Sequence, residues 1–316
     1  MLDVTRLTVL AALAKHGSVT AAARALHYAQ PSVSHHLARL EAETGSRLLQ
    51  RVGRGVRLTE AGRLLADRAE EILGRLAAAE AELAELAGLH TGRVRLAAFP
   101  SALGTFVPVA AAGFTTAHPG VDLRFTEAEP PAAVRLLRGG EVEAALIFTH
   151  PGESAPDASA PDVAGLRAET LLDEPTYLVV PQDWPGDRLA DHAQRPWIGG
   201  CERCRSRLSA ACAAEGFIPD IRFTTDDYVA VQALVAAGMG ATTLPALALA
   251  AHRHPRVRAV PLPGPGRRVS IAVLGDPPDP PATAALLAQL RAAAALTTPP
   301  GAAAALSTPP GAAAGG

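Results

Sequence analysis

The stretch of this chain that decides its fold is SVTAAARALHYAQPSVSHHLARLEAETGSRLLQRVGRGVRLT, residues 18–59. It contains two short helical patterns that meet at a tight connection, and a hairpin pattern rich in arginine follows them. This order is typical of a helix-turn-helix with a basic wing, a module that binds duplex DNA. The alternative is a small helical bundle whose basic side chains only form a solvated face.

The first helix of the pair is predicted to begin after Ser18, because the serine hydroxyl can accept a hydrogen bond from a free backbone N–H group. A turn is expected at residues 27–30. Pro31 then suits the first turn of the second helix, where its missing N–H is not needed. Gly45 is expected to end this second helix.

The second helix is predicted to have one buried face and one polar face. Val33, Leu37 and Leu40 lie at i, i+4 and i+7, which indicates a single buried stripe. The hydrogen-bonding side chains near the helix N-terminus lie at the end that enters the major groove in this motif. The residues predicted to contact DNA from the two helices are Ser18, Thr20, Gln30, Pro31, Ser32, Ser34, His35 and Arg39.

The hairpin pattern places glycines at its tip and arginines on its arms, and Arg51 and Arg54 are the predicted wing contacts with DNA. Charge supports this interpretation. Residues 1–58 carry eight basic and three acidic side chains, a net charge of +5, whereas residues 59–90 have a net charge of −4. The whole-chain value of −2 hides this contrast. The positive charge therefore lies where DNA is expected.

A long helix is predicted over residues 59–87, with Thr59 as its cap. Its apolar positions recur at alternating spacings of four and three residues, which is the heptad pattern of a coiled coil. The seam consists of Leu65, Ala69, Ile72, Leu76, Ala79, Leu83 and Leu86. Two such helices would form a dimer and present two DNA-binding modules to one palindromic site, with Leu65, Ile72, Leu76, Leu83 and Leu86 as the dimerisation contacts. The alternative is a helix that packs on its own domain.

Strand and helix patterns alternate after residues 88–92. This order predicts parallel sheets with a ligand cleft beyond the carboxyl ends of the strands. The predicted strands are residues 94–99, 121–126, 144–148, 177–180, 197–199, 221–224, 242–243 and 269–274, and the predicted helices are 102–117, 132–138, 205–215 and 227–237. Residues 149–165 are rich in proline, alanine and serine and are expected to form a mobile crossover.

The resulting domain prediction has four parts. Residues 1–58 form the DNA-binding domain and residues 59–87 the linker helix. Residues 88–295 form a two-lobed domain, with the first lobe at about 93–165 and 268–295 and the second lobe at about 166–267. Residues 296–316 repeat a sequence of proline, alanine and glycine that cannot bury a core, so this tail is expected to be disordered.

Three places at strand ends are predicted to line the ligand cleft. Pro100 and Ser101 begin a helix after the first strand, where free N–H groups and a hydroxyl favour an anion. Thr149 follows the third strand, and Gly200 and Cys201 follow a strand of the second lobe. The alternative for each place is an ordinary strand-to-helix connection.

The run from Leu2 to Gly62 resembles the LysR-type transcriptional regulators, notably in GSVTAAARALHYAQPSVSHHLARLEAETGSRLLQR and GRGVRLTEAG. The resemblance is close over about the first 87 residues and continues through the order of elements to about residue 295. It implies an α/β chain with an N-terminal winged helix-turn-helix, a long linker helix and a C-terminal two-lobed effector domain similar to periplasmic binding proteins. The implied function is promoter binding that a small-molecule effector, bound between the lobes, modulates.

By position, the base-reading residues of this family fall on Gln30, Pro31, Ser34 and His35, and its wing contacts fall on Arg51 and Arg54. The chain departs from the family pattern twice. Ala29 stands where Ser or Thr is frequent, so the recognition helix lacks a side-chain cap. His35 stands where Arg is frequent, so the operator preference is expected to differ.

Cys201 and Cys204 form a CxxC motif at a predicted helix start beside Arg203 and Arg205. Such surroundings lower the pKa of a thiol and favour the reactive thiolate. A regulator that responds to oxidation at Cys201 and Cys204 therefore remains an open alternative. Cys212 would lie about 12 Å along the helix axis from Cys204, too far for one metal ion to bind all three, so no metal site is predicted.

Other classes of function find little support in the sequence. No catalytic set of histidine, carboxylate and nucleophile appears, so an enzyme is not expected, and no cofactor is predicted. No secretory signal pattern is visible, and the uncharged tract from Tyr228 to Ala251 is interrupted by glycine and proline, which favours buried core over a membrane span. Three cysteines and this lack of a signal favour the cytoplasm.

The expected partners are double-stranded promoter DNA, a small-molecule effector and further copies of this chain in a dimer or tetramer; RNA polymerase is a further candidate, and no membrane is expected. The rival interpretation from another class is a cytosolic small-molecule binding protein without a DNA function.

Overall fold

In the computed structural model of this chain, the described residues are 2–52, 55–86, 92–150, 166–275 and 277–297. They divide into two compact units. One unit comprises Met1–His90 with Arg135–Val142, and the other comprises Thr91–Val134 with Glu143–Gly316.

The first unit contains the predicted pair of helices, a hairpin and a long helix. Its elements are α1 (Val4–His16), α2 (Val19–Ala25), α3 (Gln30–Thr44), β1 (Leu49–Val52), β2 (Gly55–Leu58) and α4 (Glu60–Leu86). Val33, Leu37 and Leu40 of α3 are buried, as their spacing predicts. They pack with Leu10 and Leu13 of α1 in one apolar core.

Local capping contacts fix where these helices begin and end. The Ser18 hydroxyl accepts a hydrogen bond from the backbone N–H of Ala21 at 3.2 Å, so α2 begins where the sequence predicts. Gly45 ends α3 with a φ of 63°, in the left-handed region that glycine adopts without strain. Thr59 caps α4 by accepting from the N–H of Gly62 at 3.0 Å.

The side chains of the heptad seam of α4 lie in two different environments, the core of the first unit and the exposed surface. Ala69 is buried in the core of the first unit, and Leu65, one of the predicted dimerisation contacts, is partly buried and packs against that core. They pack inward because the first turns of α4 run along α1. Ile72 and Leu76 are each 42% exposed. The side chains of Leu83 and Leu86 lie outside the described residues.

The first lobe of the second unit is built on a five-stranded sheet. Its strands are β3 (Arg93–Ala98), β4 (Asp122–Glu127), β5 (Ala144–Thr149), β6 (Leu166–Glu174) and β12 (Arg267–Leu274), in the order β4-β3-β5-β12-β6. The strand β3 pairs in parallel with both β4 and β5, as the alternation of strands and helices predicts. Antiparallel pairing of β12 with β5 and β6 makes the sheet mixed.

Three helices pack on this sheet and supply about half of the residues in its apolar core. They are α5 (Pro100–Leu103), α6 (Phe106–Ala117) and α11 (Pro281–Leu296). The helix α7 (Pro130–Arg138) follows β4 in the chain. The single helix predicted over residues 102–117 is divided at Gly104 and Thr105. Leu286, Leu287 and Leu290 of α11 are buried against the sheet, although the strand and helix patterns above did not include this helix.

The second lobe combines two small sheets with three helices. Its elements are β7 (Thr176–Pro181), a short 3₁₀ helix (Leu189–His192), β8 (Pro196–Gly199), α8 (Glu202–Ala214), β9 (Asp220–Thr224), α9 (Tyr228–Ala236), β10 (Thr242–Pro245), α10 (Ala246–Ala251) and β11 (Val257–Pro261). The antiparallel sheet has the order β10-β7-β11, and β8 pairs in parallel with β9.

The boundary between the lobes differs from the prediction. Residues Leu166–Glu174 were expected to begin the second lobe, but they form β6 and pair with β12 in the first lobe. The described residues therefore pass between the lobes at Glu174–Thr176 and at Pro261–Arg267. The crossover was expected at 149–165 and the disordered tail at 296–316, but Thr149 is the last residue of β5 and Leu296 the last residue of α11. The remainder of the two segments, residues 151–165 and 298–316, lies outside the described residues.

The two passages between the lobes touch each other at Gly266. A Cβ atom added to Gly266 would overlap the backbone carbonyl of Glu174. Only glycine permits this close approach, because every other residue would force the two passages apart.

The uncharged tract from Tyr228 to Ala251 contains α9, β10 and α10 rather than one continuous helix. Across the described part of the chain, no helix combines the length and the apolar character that a membrane crossing requires.

Candidate DNA-binding surface and effector cleft

The polar face of α3 is open to solvent. The predicted contacts Gln30, Pro31, Ser32, Ser34, His35 and Arg39 are all exposed, as is Thr20 of α2. They lie opposite the stripe that Val33, Leu37 and Leu40 bury. The structure therefore brings these side chains together on one accessible surface at the N-terminal half of α3.

The start of α3 has no side-chain cap. Ala29 occupies the cap position with extended dihedral angles (φ −72°, ψ 141°), and no side chain accepts a hydrogen bond there. This agrees with the departure noted in the sequence. The hydroxyl of Ser18, by contrast, accepts a hydrogen bond as the cap of α2 and keeps its own proton free to donate.

The register of the hairpin separates its arginines onto two faces. Directly opposite residues of an antiparallel pair share a face. Arg57 lies opposite Gln50, and Arg51 lies opposite Val56. Arg51, Arg57 and Gln50 are exposed, which makes Gln50 and Arg57 candidate contacts in addition to Arg51. Arg54, the other predicted wing contact, lies outside the described residues.

Most of the basic side chains on this surface are not neutralised by the protein itself. Arg6 pairs with Glu43, but the described residues place no carboxylate in ion-pair contact with Arg39, Arg51 or Arg57. Their charge is therefore available to a polyanion.

A cleft of about 510 Å³, including its open mouth, lies between the two lobes of the second unit. Four of the predicted residues line it: Pro100, Ser101, Gly200 and Cys201. Thr149 is not among the lining residues. Its backbone pairs with Arg268 in the sheet, and the next residue, His150, is buried.

Arg267 lies on the floor of the cleft and was not predicted. Its Nε donates to Oε1 of Glu174 at 2.6 Å, and its Nη2 donates to the Ser101 hydroxyl at 2.7 Å. Its guanidinium carbon also lies 4.8 Å from the ring centre of Phe99 and 4.3 Å from that of Phe148. These contacts hold the cation in a fixed place despite its burial.

Glu174 extends this network into the second lobe. Its Oε2 accepts a hydrogen bond from the backbone N–H of Leu247, at the start of α10, at 2.7 Å. A carboxylate at a helix N-terminus is electrostatically favourable. Leu247 itself packs in the core of the first lobe, whereas Ala248 and Leu249 pack in the second. The floor of the cleft is thus a shared structural element of both lobes.

Acidic groups give the cleft its remaining charge. Burial, together with the nearby charge of Cys204, raises the pKa of the Glu129 carboxyl to about 7. Asp226 also lines the cleft. Since Arg267 is already paired, these acids do not favour an anionic ligand.

Two local features bear on the predicted anion site. The helix α5 has only four residues, and the Ser101 hydroxyl accepts a hydrogen bond from Arg267, which leaves its own proton as a donor to a ligand.

The CxxC motif also faces the cleft. Cys201 is the N-cap of α8, its Sγ lies 3.1 Å from the Sγ of Cys204, and both thiols are free. Within the described ranges, no group of three or more His, Cys, Asp or Glu side chains is placed to bind a metal ion.

The chain matches two family models over most of its length. Residues 4–63 match the bacterial regulatory helix-turn-helix protein of the lysR family, and residues 87–295 match the LysR substrate binding domain. The chain therefore belongs to the LysR family.

Curated relatives include regulators of bacterial operons. The HTH-type transcriptional regulator CfxR of Cupriavidus necator is 36% identical over 166 residues, which cover 51% of this chain and 52% of the relative. A RuBisCO operon transcriptional regulator of Allochromatium vinosum is 32% identical over 194 residues, or 61% of each chain. The match thus spans from 52% to 61% of the length of these two relatives.

Solved structures share the same fold. CbnR, a LysR family transcriptional regulator, is 23% identical with a TM-score of 0.59, covering 93% of this chain and 99% of that chain. Full-length BenM is 21% identical with a TM-score of 0.55, covering 95% and 100%. At these identities the likeness shows the fold alone.

Proposed function

We propose that this chain is a sequence-specific transcriptional regulator that binds promoter DNA and whose binding is modulated by a small molecule in the interlobe cleft. The observation that carries this proposal is the exposed polar face of α3, with Gln30, Ser34 and His35 opposite a fully buried stripe. CbnR, which shares the fold, has been crystallised with its target DNA.

The proposed DNA contacts are of two kinds. Gln30, Ser34 and His35 carry side chains that can hydrogen-bond to base edges in the major groove. Arg39, Arg51 and Arg57 supply charge for phosphate contacts, which position the protein without reading the sequence. Ser18, Thr20, Pro31, Ser32 and Arg54 complete the proposed surface.

The proposed active form is a dimer through α4. Ile72 and Leu76 expose apolar side chains on the described part of this helix. Leu83 and Leu86 continue the same seam in the sequence. Their burial against a second copy would place two DNA-binding modules on one palindromic operator. Assembly of two dimers into a tetramer is compatible with this arrangement.

The effector is proposed to bind between Pro100 and Ser101 of the first lobe and Gly200 and Cys201 of the second. A ligand that contacts both lobes stabilises their closed arrangement, because it has differential affinity for that state. The acids that line the cleft favour a neutral or cationic molecule. RNA polymerase is a further proposed partner at the promoter, and the proposed location is the cytoplasm.

The DNA proposal is tested by replacing Arg51 and Arg57 together with alanine and measuring affinity for promoter fragments at several salt concentrations. We expect weaker binding to all sequences and a salt dependence whose logarithmic slope is smaller by about four for the dimer, because each of its two copies loses two phosphate contacts.

The matched control is Arg222→Ala, because Arg222 is an exposed arginine of the second lobe that pairs only with Asp220 in the described structure. Unchanged affinity and slope in the double variant would exclude Arg51 and Arg57 as phosphate contacts, and a wild-type protein without measurable affinity for promoter fragments would favour a binding protein without a DNA function.

A further inference from the structure

Cys201 and Cys204 are placed to react with each other. The two sulfur atoms lie 3.1 Å apart, and the backbone N–H of Cys204 points to the Cys201 sulfur at 3.5 Å. A disulfide bond is about 2.05 Å long, so a small rotation of the side chains closes the gap. Cys201 is the N-cap of α8 and Cys204 lies in its first turn, and this helix start holds the spacing.

The surroundings of the pair stabilise one thiolate. The pKa of the Cys204 thiol lies well below 9.0, because the Cys201 thiol donates a hydrogen bond to it and because His150 and Arg267 are close. The pKa of Cys201 is raised in turn, since this group holds the shared proton. The thiolate is the nucleophilic form of cysteine.

The third cysteine lacks all of these features. Cys212 is completely buried among apolar residues, and burial raises its pKa to about 11. It does not line the cleft, whereas Cys201 and Cys204 do. The chain therefore contains its own unreactive control.

The geometry points to a redox-active dithiol at Cys201 and Cys204, a covalent modification site in the wall of the cleft that exchanges with low-molecular-weight disulfides. A small oxidant is required because the two sulfur atoms are reached through a cleft of about 510 Å³. The inference concerns the same cleft as the proposed effector site, but the reaction itself does not depend on DNA binding.

The exchange is balanced in two steps. The Cys204 thiolate attacks one sulfur of a disulfide RSSR, whose S–S bond breaks to release RS⁻ and leave a mixed disulfide on Cys204. The Cys201 thiol gives its proton to this RS⁻ and attacks the Cys204 sulfur, which expels the second RS⁻. Two electrons pass from the cysteine pair to the oxidant, and an intramolecular disulfide remains.

Oxidation would change the cleft electrostatically as well as sterically. It removes the negative charge that faces His150 and Arg267, and it removes the thiol proton that Cys201 donates. Through the proposed function, this change would alter the affinity of the wall of the cleft for its effector.

The test equilibrates the full-length protein, without DNA, in mixtures of 2-mercaptoethanol and its disulfide at neutral pH. The protein is then unfolded in acidic denaturant, which quenches exchange, and its free thiols are alkylated and located by peptide mass spectrometry. We expect Cys201 and Cys204 to lose alkylation together as peptides joined by a disulfide, with Cys212 alkylated throughout. The ratio of oxidised to reduced pair should change tenfold per about 30 mV, as for a two-electron couple.

Two variants sharpen the test. Cys201→Ser should accumulate mercaptoethanol as a mixed disulfide on Cys204, because the resolving thiol is missing. Cys212→Ser should keep the disulfide and its midpoint. Full alkylation of the wild-type pair in the most oxidising mixture, or pairing with Cys212 or with another chain, would overturn the proposal. Such a result would leave the DNA-binding proposal standing, since that proposal is measured separately with the Arg51 and Arg57 variants.

Discussion

Glu174 and Arg267 form an ion pair whose side chains are 0% and 4% exposed, at the place where the chain passes between its two lobes. Removing one partner of a buried pair leaves an uncompensated charge. We therefore expect Glu174→Gln to destabilise the second unit by about 3–5 kcal/mol. Urea unfolding followed by tryptophan fluorescence measures this, because Trp184 and Trp197 both belong to that unit.

The neighbouring pair provides the control. Asp173 and Arg268 are paired on the same two strands, but their side chains are 64% and 54% exposed. Asp173→Asn should cost about 1 kcal/mol or less. Equal effects of the two substitutions would show that burial does not determine the contribution of Glu174.

The missing cap of α3 predicts a stabilising substitution. Ala29→Ser supplies an acceptor for a free N–H group at the helix start, and Ala29 already has the extended dihedral angles of a cap residue. We expect the first unit to gain about 1 kcal/mol. Amide hydrogen exchange of its peptides, read by mass spectrometry, would report the gain. Ala29→Val, which offers no acceptor, should give none; an equal gain in both variants would exclude capping as the cause.

The exposed part of the α4 seam predicts the dimer contact. Ile72→Glu with Leu76→Glu places charge where a partner helix would bury apolar side chains, so the protein should dissociate to monomers in sedimentation experiments. Leu64→Glu is the control, because Leu64 is 61% exposed and lies off the heptad seam. A dimer that survives the double substitution would contradict assembly through this seam.

Glu129 predicts a dependence of stability on pH. Its pKa is about 7 in the folded protein, above its ordinary value of 4.5, chiefly because it is buried. The folded state therefore binds the proton more tightly, and the stability of the second unit should fall as the pH rises through this window.

Glu129→Gln should reduce this fall and stabilise the unit at high pH. Urea unfolding of wild type and variant at about pH 5, near the lower end of the window, and at about pH 8, above it, measures the difference. Glu127→Gln, at an exposed position of β4, should leave the pH profile unchanged. A wild-type profile that persists in Glu129→Gln would assign the dependence to other groups.

Local patterns in the sequence predicted local structure well. The caps at Ser18 and Thr59, the buried stripe of α3 and the glycine end at Gly45 depend on neighbouring residues, and the structure confirms them. Four residues that line the cleft were also predicted. The order of strands and helices shows which residues follow the carboxyl ends of parallel strands, where ligands bind.

Features that depend on distant pairing were missed. The sequence analysis assigned Leu166–Glu174 to the start of the second lobe. Nothing in this segment specifies that it pairs with β12, a strand about a hundred residues later. Arg267 and Glu174 are 93 residues apart in the sequence, and their contact follows only from the register in which β12 pairs with β6. Leu65 carries an apolar side chain that suits a partner helix or its own core equally, so its heptad position alone did not decide between them.

Gly266 limits how the cleft can open. Within the described residues the lobes are joined by two passages that touch where this glycine lies against the Glu174 carbonyl. Sliding one lobe away from the other would break this contact, whereas rotation about it would not. Displacement then grows with distance from the pivot, so a few degrees at Gly266 become the largest movement at the mouth of the cleft. A ligand that contacts both lobes near the mouth therefore restricts their relative rotation more than a ligand bound close to Gly266.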